Sequence, residues 1–323
     1  MSERTNETVA QNAKKRKFNK AWLLKTVFIT GMLVYPLAQF AVFYVYMNFN
    51  NITMAVKGMY PNGNTYWNGL NNFVQVFKGV DSKLLRICFG NNFKMFFMTT
   101  IIGMPLNILF GYYLFKRKFG STAVRIVYML PSMVSGVVKT LLFMKFVELG
   151  LPVLFSDLFG IDQSDFPNLI RNSNTAFGVQ VFYTLWLGFS SSLIIYSNAM
   201  FSIDEGVIEA GKIDGTNNLQ ELVFIVVPLI FPTLSTYMIT GVSSILTLSG
   251  NLYLFYGLTD VPETTYFMGF YLFKIGMQGD LTAYPMGSAV SLVITAVTVP
   301  LTIFVRWLMN RIDPMNDVRS DIA

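Results

Sequence analysis

The sequence predicts an all-α polytopic membrane protein, a bundle of six transmembrane helices, and three observations carry that prediction. Of 323 residues, 53% are hydrophobic and 13% charged, with a mean hydropathy of +0.48, too apolar a balance for a soluble domain of this size. Six apolar runs each approach the ~20 residues a helix needs to cross ~30 Å of hydrocarbon. Hydrocarbon offers no partner to an exposed amide, so such runs are helices and not isolated strands.

Taken in order, the first run covers residues 26–47 and follows a basic tail (1–20) that holds Lys14, Lys15, Arg16, Lys17 and Lys20. It is too long for a signal-peptide core, has no cleavage site after it, and is expected to stay as a span. The second run, 95–115, leads into Lys116, Arg117 and Lys118. The third covers 126–144, the fourth 176–200, the fifth 223–246 and the sixth 286–305, the last followed by Arg306 and Arg311. Basic residues gather on the cytoplasmic side, which places both termini and the loop 201–222 inside. The transmembrane domain is then 21–311, with a cytoplasmic tail at 312–323 and outer loops at 49–94, 148–175 and 249–285. A seventh apolar patch, 266–275, is too short to span and contains Lys274, so it is expected to be interfacial or re-entrant. Aromatics at 15% suit the many helix ends at headgroup level, and no internal repeat is visible.

Absent residues narrow the chemistry. With no histidine, histidine triads, metal sites and proton relays are excluded. The single cysteine, Cys88, excludes an internal disulfide and is read as an inert small residue beside an outer loop. No GxxxxGK[ST] cradle occurs, so ATP is not expected to be hydrolysed on this chain. All Asp and Glu fall outside the predicted spans, which disfavours a proton-driven carrier and only weakens a sodium-coupled one. The net charge of +6 arises mostly in tails and loops and reflects topology, not affinity for nucleic acid. Lys139 is the one charge within a predicted span. Its stem either snorkels to the headgroups or presents the ammonium to a water-filled path or partner helix.

The most informative segment is 202–228, SIDEGVIEAGKIDGTNNLQELVFIVVP. Ser202 with Glu205 has the spacing of a capping box, which starts a short helix. Ile203, Val207 and Ala210 share one face, leaving Glu205, Glu209 and Lys212 for the others. Gly215 takes positive φ and ends that helix with a change of direction. Asn218 and Glu221 form a second cap-like pair, and Pro228 and Pro232 bend the span that follows. The product is a short helix lying across the cytoplasmic face, joined by a glycine turn to a kinked span, suited to act as a lever.

At these intervals the segment resembles the EAA loop of ABC importer permeases, whose pattern is Glu-Ala-Ala, three residues, Gly, nine residues, Ile, one residue, Leu-Pro. Here Glu209, Ala210 and Gly211 are followed by Gly215, Ile225 and Val227-Pro228, and Asp214-Gly215 looks like the family's Asp-Gly. Gly211 stands where Ala is usual, which loosens the helix by about 0.5–1 kcal/mol, and Val227 replaces Leu. Tyr35-Pro36, the run from Trp67 to Phe73, Asn91-Asn92-Phe93, Leu130-Pro131-Ser132, and Gly287-Ser288-Ala289 with Ser291 extend the likeness to the carbohydrate, MalF-like and binding-protein-dependent branch.

The resemblance implies the type I ABC importer permease fold in the plasma membrane of a prokaryote. It implies a heterodimer with a second permease subunit, two ATPase subunits that carry ATP and Mg, and an extracytoplasmic solute-binding protein. ATP-driven alternating access moves a sugar or oligosaccharide. No catalytic residue, metal or cofactor is assigned to this chain. Coupling to the ATPase falls on Ser202, Val207, Ile208, Glu209, Ala210, Gly211, Asp214, Gly215 and Pro228. Of these, Val207, Ile208 and Ala210 are expected to fill a groove on the ATPase and Glu209 to fix orientation by a charge-assisted bond. A sugar path needs hydroxyls and aromatic faces, which Tyr183, Trp186, Ser190, Ser191, Tyr237, Thr240, Ser243 and Ser244 offer. The same residue types also let helices pack closely or mark interfaces. The same machinery moving a non-sugar solute, and a stand-alone sodium-coupled carrier, stay open as alternatives.

Overall fold

The apolar runs are largely helical in the computed structural model, which describes residues 22–79, 81–160 and 162–315, and four of its helices are each long and apolar enough to cross the hydrocarbon unbroken. α1 (Trp22–Ala55) leads to an antiparallel hairpin of β1 (Lys57–Met59) and β2 (Thr65–Trp67), a short α2 (Asn71–Lys78), and α3 (Ser82–Phe115). Then come α4 (Ser121–Met133), α5 (Gly136–Phe159), α6 (Ala176–Phe201), α7 (Glu205–Ile213), α8 (Asn218–Leu229) and α9 (Phe231–Ser243). α10 (Leu252–Tyr256), α11 (Met268–Gln278) and α12 (Leu281–Ile312) complete the order. The basic tail at 1–20 and residues 316–323 lie outside the described residues. The loop expected at 49–94 is therefore largely helix and hairpin.

α1, α3, α6 and α12 are single helices of 34, 34, 26 and 32 residues, whereas α4–α5 and α8–α9 are bent pairs at 105° and 67°. With each bent pair counted as one span, the described residues give six. The uninterrupted third span expected at 126–144 is corrected. Pro131 withdraws an amide inside α4, Val134 and Ser135 adopt extended backbone (ψ 141° and 147°), and Ser135 Oγ accepts from Val138 N at 3.4 Å to restart the helix. Lys139, half-buried, lies just beyond this break. The second bend follows the prolines: Pro232 sits in the first turn of α9, where its missing N–H removes no bond, and Ile230 turns the chain between α8 and α9.

Two apolar cores lie at opposite ends of α3 and α6. One collects Met95, Tyr183, Leu246, Leu252, Phe255 and Phe267; the other collects Tyr112, Tyr196, Met200, Ile208, Leu222 and Val226. The 266–275 patch, expected to be interfacial or re-entrant, forms the end of an irregular segment and most of α11. Its Phe267 and Phe270 are fully buried in the first core, and Lys274 Nζ donates to Tyr266 Oη at 3.1 Å. Cys88 is likewise buried within α3, in that core.

Asparagines fasten the irregular connections around the first core. Asn92 Nδ2 donates to Ile245 O and its Oδ1 accepts from Met268 N, so one side chain holds both the end of the α9 region and the start of α11. Asn91 Nδ2 donates to Thr264 O and Tyr266 O, and Asn72 Nδ2 to Ala55 O and Lys57 O. Buried amides with no strand or helix to satisfy them need such partners. α1 differs from every other span. From Trp22 to Asn50 it is exposed on all sides, and only its last turns pack on α12, where Asn51 Nδ2 donates to Ser291 Oγ at 2.8 Å.

Candidate functional site

α7 is a two-and-a-half-turn helix fixed at both ends by local chemistry. Its cap is Asp204, whose Oδ1 accepts from Gly206 N at 2.7 Å. Ser202, expected in that role, instead closes α6, its Oγ donating to Ala199 O at 2.7 Å. The far end is a Schellman turn: Gly215 stands at φ +81°, Gly215 N donates to Lys212 O and Thr216 N to Gly211 O, both at 3.1 Å. Asp214 closes α7 and is exposed. α8 then starts with a capping box one residue before the expected pair. Asn217 Oδ1 accepts from Gln220 N and Gln220 Oε1 accepts from Asn217 N, both at 2.9 Å.

The faces of α7 differ from the expected division. Ile208 is buried in the second core against α3, α6 and α8, so it anchors α7 to its own bundle and is not available to fill a partner's groove. Val207, Glu209 and Ala210 are exposed, as expected of a docking face, and Ile213 joins them at 85% exposure. Ile213 was not among the sequence candidates, although it lies three residues beyond Ala210. Gly211 is buried because Ile225 rests on it: a Cβ there would stand 2.5 Å from Ile225 Cδ1. Pro228 is half-buried in the last turn of α8.

One polar cluster at this end was not anticipated. Glu221, freed from capping, is buried in α8 and takes Lys116 Nζ on both carboxylate oxygens, at 2.6 and 2.7 Å, while Tyr112 Oη donates to Oε1 at 3.1 Å. The partners lie 105 residues apart in sequence, beyond the reach of any local pattern.

The solute-path candidates do not converge on one place. Tyr183 is buried in the first core, its hydroxyl bonded to Thr140 Oγ1 and accepting from Asn251 Nδ2. Trp186 stacks on Phe143 at 5.9 Å and keeps part of its surface exposed. Ser190 Oγ donates to Tyr128 O, joining α6 to α4, whereas Ser191 is exposed. Thr240, Ser243 and Ser244 are exposed on α9, their hydroxyls donating back to Thr236 O, Thr240 O and Thr240 O. Thr236, Thr240 and Ser243 recur at helical spacing along α9, and Ser244 caps its end.

Tyr237 alone of the eight lines the cavity that separates the two cores. This space, ≈ 260 Å³, lies at mid-length of α3, α6 and α9, bounded by Thr99, Thr100, Asn107, Thr184, Ser192 and Tyr237 among others. Asn107 Nδ2 donates to Gly103 O at 2.7 Å, while its buried Oδ1 has no hydrogen-bond partner among the described residues. Beside it, α3 widens into a π-helical turn over Thr99–Gly103, a distortion that leaves backbone carbonyls off the regular ladder.

The model of the family described as "Binding-protein-dependent transport system inner membrane component" matches residues 100–317. The "Multiple sugar-binding transport system permease protein MsmF" of Streptococcus mutans is 26% identical over 191 residues, 57% of this chain and 64% of that relative. The match thus spans less than two thirds of MsmF's length. The "Probable starch degradation products transport system permease protein AmyD" of Thermoanaerobacterium thermosulfurigenes is 27% identical over 252 residues, 75% of this chain and 78% of AmyD. Among solved structures, a chain of a bacterial ABC transporter involved in the import of the acidic polysaccharide alginate superposes with a TM-score of 0.76 at 19% identity, covering 90% of this chain and 97% of that one. That likeness establishes the fold.

Proposed function

The chain belongs to the family of binding-protein-dependent transport system inner membrane components, and from that premise we propose that it is a pore-forming permease subunit of an ATP-driven sugar importer. In this reading α7 lies on the cytoplasmic side, both termini are cytoplasmic, and a separate ATPase subunit, holding ATP and Mg, grips the exposed Val207, Ala210 and Ile213 with Glu209 beside them. Closure of the ATPase pair moves α7. Ile208 and the Gly215 turn carry that motion into α8, and the 67° bend at Ile230 converts it into a tilt of α9.

The observation that carries the reading is the two-sided character of α7: a buried anchor at Ile208 and an exposed apolar face with a carboxylate, on a helix capped at both ends. A helix of nine residues packed against its own bundle on one side and bare on the other is built to be pushed. The second permease subunit is the proposed partner of α1, whose exposed length has no cover within the chain. A binding protein delivers solute at the opposite end, and the mid-length cavity, lined by Tyr237 and holding the unpartnered Asn107 Oδ1, is the proposed solute route. Hydroxyls and amides suit a polyhydroxylated cargo, and the sugar-related names of MsmF and AmyD support that class.

The test combines Glu209→Lys, which reverses the charge on the docking face, with Gly215→Pro, which cannot take φ +81°. The variant is expected to reach the membrane in normal amount while ATP hydrolysis and uptake of the sugar held by the binding protein come apart. Normal uptake by that variant contradicts the lever.

A further inference from the structure

The ion pair behind the lever has more specificity than stability to explain it. Glu221 is 2% exposed and Lys116 15%, and removing two charges from water costs about what their attraction returns, so an apolar pair of equal volume is typically as stable. The best-attested use of such a pair is to fix one element against another in a single register. Here the elements are the end of α3, with Tyr112 in its last turn and Lys116 capping it, and the first turns of α8, immediately after the α7 elbow.

Other connections between these elements are looser. α7 and the end of α3 are separated by a cleft of ≈ 300 Å³ lined by Lys116, Arg117, Ile208, Glu209 and Lys212. Across that space the apolar contacts of Ile208 are non-directional and can slide. The carboxylate of Glu221 cannot: it takes two charge-assisted bonds from Lys116 and one from Tyr112, and Lys116 also lies 5.6 Å from the centre of the Tyr112 ring. Followed away from the elbow, α3 reaches the π-helical turn Thr99–Gly103 and Asn107, which form one wall of the mid-length cavity.

We propose that Lys116, Tyr112 and Glu221 are a charged clamp that makes α3 follow the α7–α8 elbow, so that motion of the lever reaches the cavity wall. They are positioning residues, touching neither nucleotide nor solute. The inference rests on the reading of α7 as an ATPase-driven lever.

The experiment uses the complete importer, both permeases and both ATPase subunits, with nitroxide labels at cysteines placed on this chain. One pair joins the elbow (Asn218→Cys) to α12 (Ile303→Cys), the other joins α3 (Ile101→Cys) to α12; all three positions are exposed, and Cys88 is buried and silent. Distances are compared without nucleotide and after trapping with ATP and vanadate. In the unmodified clamp both pairs are expected to shift. With Glu221→Gln the elbow pair still shifts and the α3 pair loses most of its shift, and the exchange Lys116→Glu with Glu221→Lys restores it. Retention of both shifts in Glu221→Gln overturns the clamp and leaves the lever standing. Absence of the elbow shift in the unmodified importer overturns the lever itself, whereas an elbow shift with no α3 shift there overturns the clamp alone. If the single variant fails to assemble with the ATPase, the exchanged pair decides: assembly with the α3 shift intact supports the clamp, and assembly without it overturns it.

Discussion

At Gly215 the backbone stands at φ +81° with open space where a Cβ would lie, while at Gly211 the backbone is helical and the space is taken by Ile225. Two glycines four residues apart thus have opposite reasons. Gly215→Ala is expected to cost about 1–2 kcal/mol from backbone conformation alone, read as a lowered melting temperature in detergent; an unchanged melting temperature contradicts the Schellman turn. Gly211→Ala is expected to lose stability through overpacking, about 1–3 kcal/mol, and to become neutral or stabilising beside Ile225→Val, which removes the obstructing methyl. Equal effects in both backgrounds contradict the contact. Gly215 was legible in the sequence because a turn after a short amphipathic run has few other solutions. The reason for Gly211 was not, because its neighbour arrives from a different helix. The caps show the same limit: the sequence pattern put helix starts at Ser202 and Asn218, and the atoms put them at Asp204 and Asn217, since adjacent polar residues compete for the same amides.

The elements were legible as spans and less so as shapes. Length and hydropathy mark the six runs, and prolines mark the bend between α8 and α9, but the 105° break between α4 and α5 depends on Ser135 capping a new helix within an apolar run. Hydropathy also cannot say that an 11-residue apolar helix such as α11 is core and not interface; the amides of Asn91 and Asn92 decide it by holding its entry. For α7, the family resemblance puts Ile208 in the ATPase groove beside Val207 and Ala210, yet the helix turns that residue inward. Ile208→Ala is therefore expected to destabilise the chain itself by about 2–4 kcal/mol, whereas Val207→Asp leaves its melting temperature nearly unchanged and reduces recovery of the ATPase subunit on co-purification. The reverse pattern contradicts the assignment of the two faces.

At the scale of the molecule, the two cores and the cavity between them divide the bundle into an end that meets the lever and an end held by asparagine side chains. No single-sequence pattern shows this, because each core draws on helices more than a hundred residues apart. α1 shows what the chain lacks. A helix exposed around its whole circumference from Trp22 to Asn50 gains no packing from its own bundle. Cysteines along α1, at Leu33 and Phe40 for example, are expected to cross-link to the second permease subunit in native membranes; cross-linking only to this chain's own α9 or α12 contradicts that arrangement.

The central claim, that the work is done by an ATPase acting from outside on α7, is tested most directly by reconstitution. Vesicles holding both permease subunits, the ATPase subunits and the binding protein with its sugar are expected to accumulate that sugar when ATP is supplied on the ATPase side. Vesicles holding this chain without the ATPase are expected to accumulate none under any ion gradient. Accumulation by this chain alone, driven by sodium, contradicts the account.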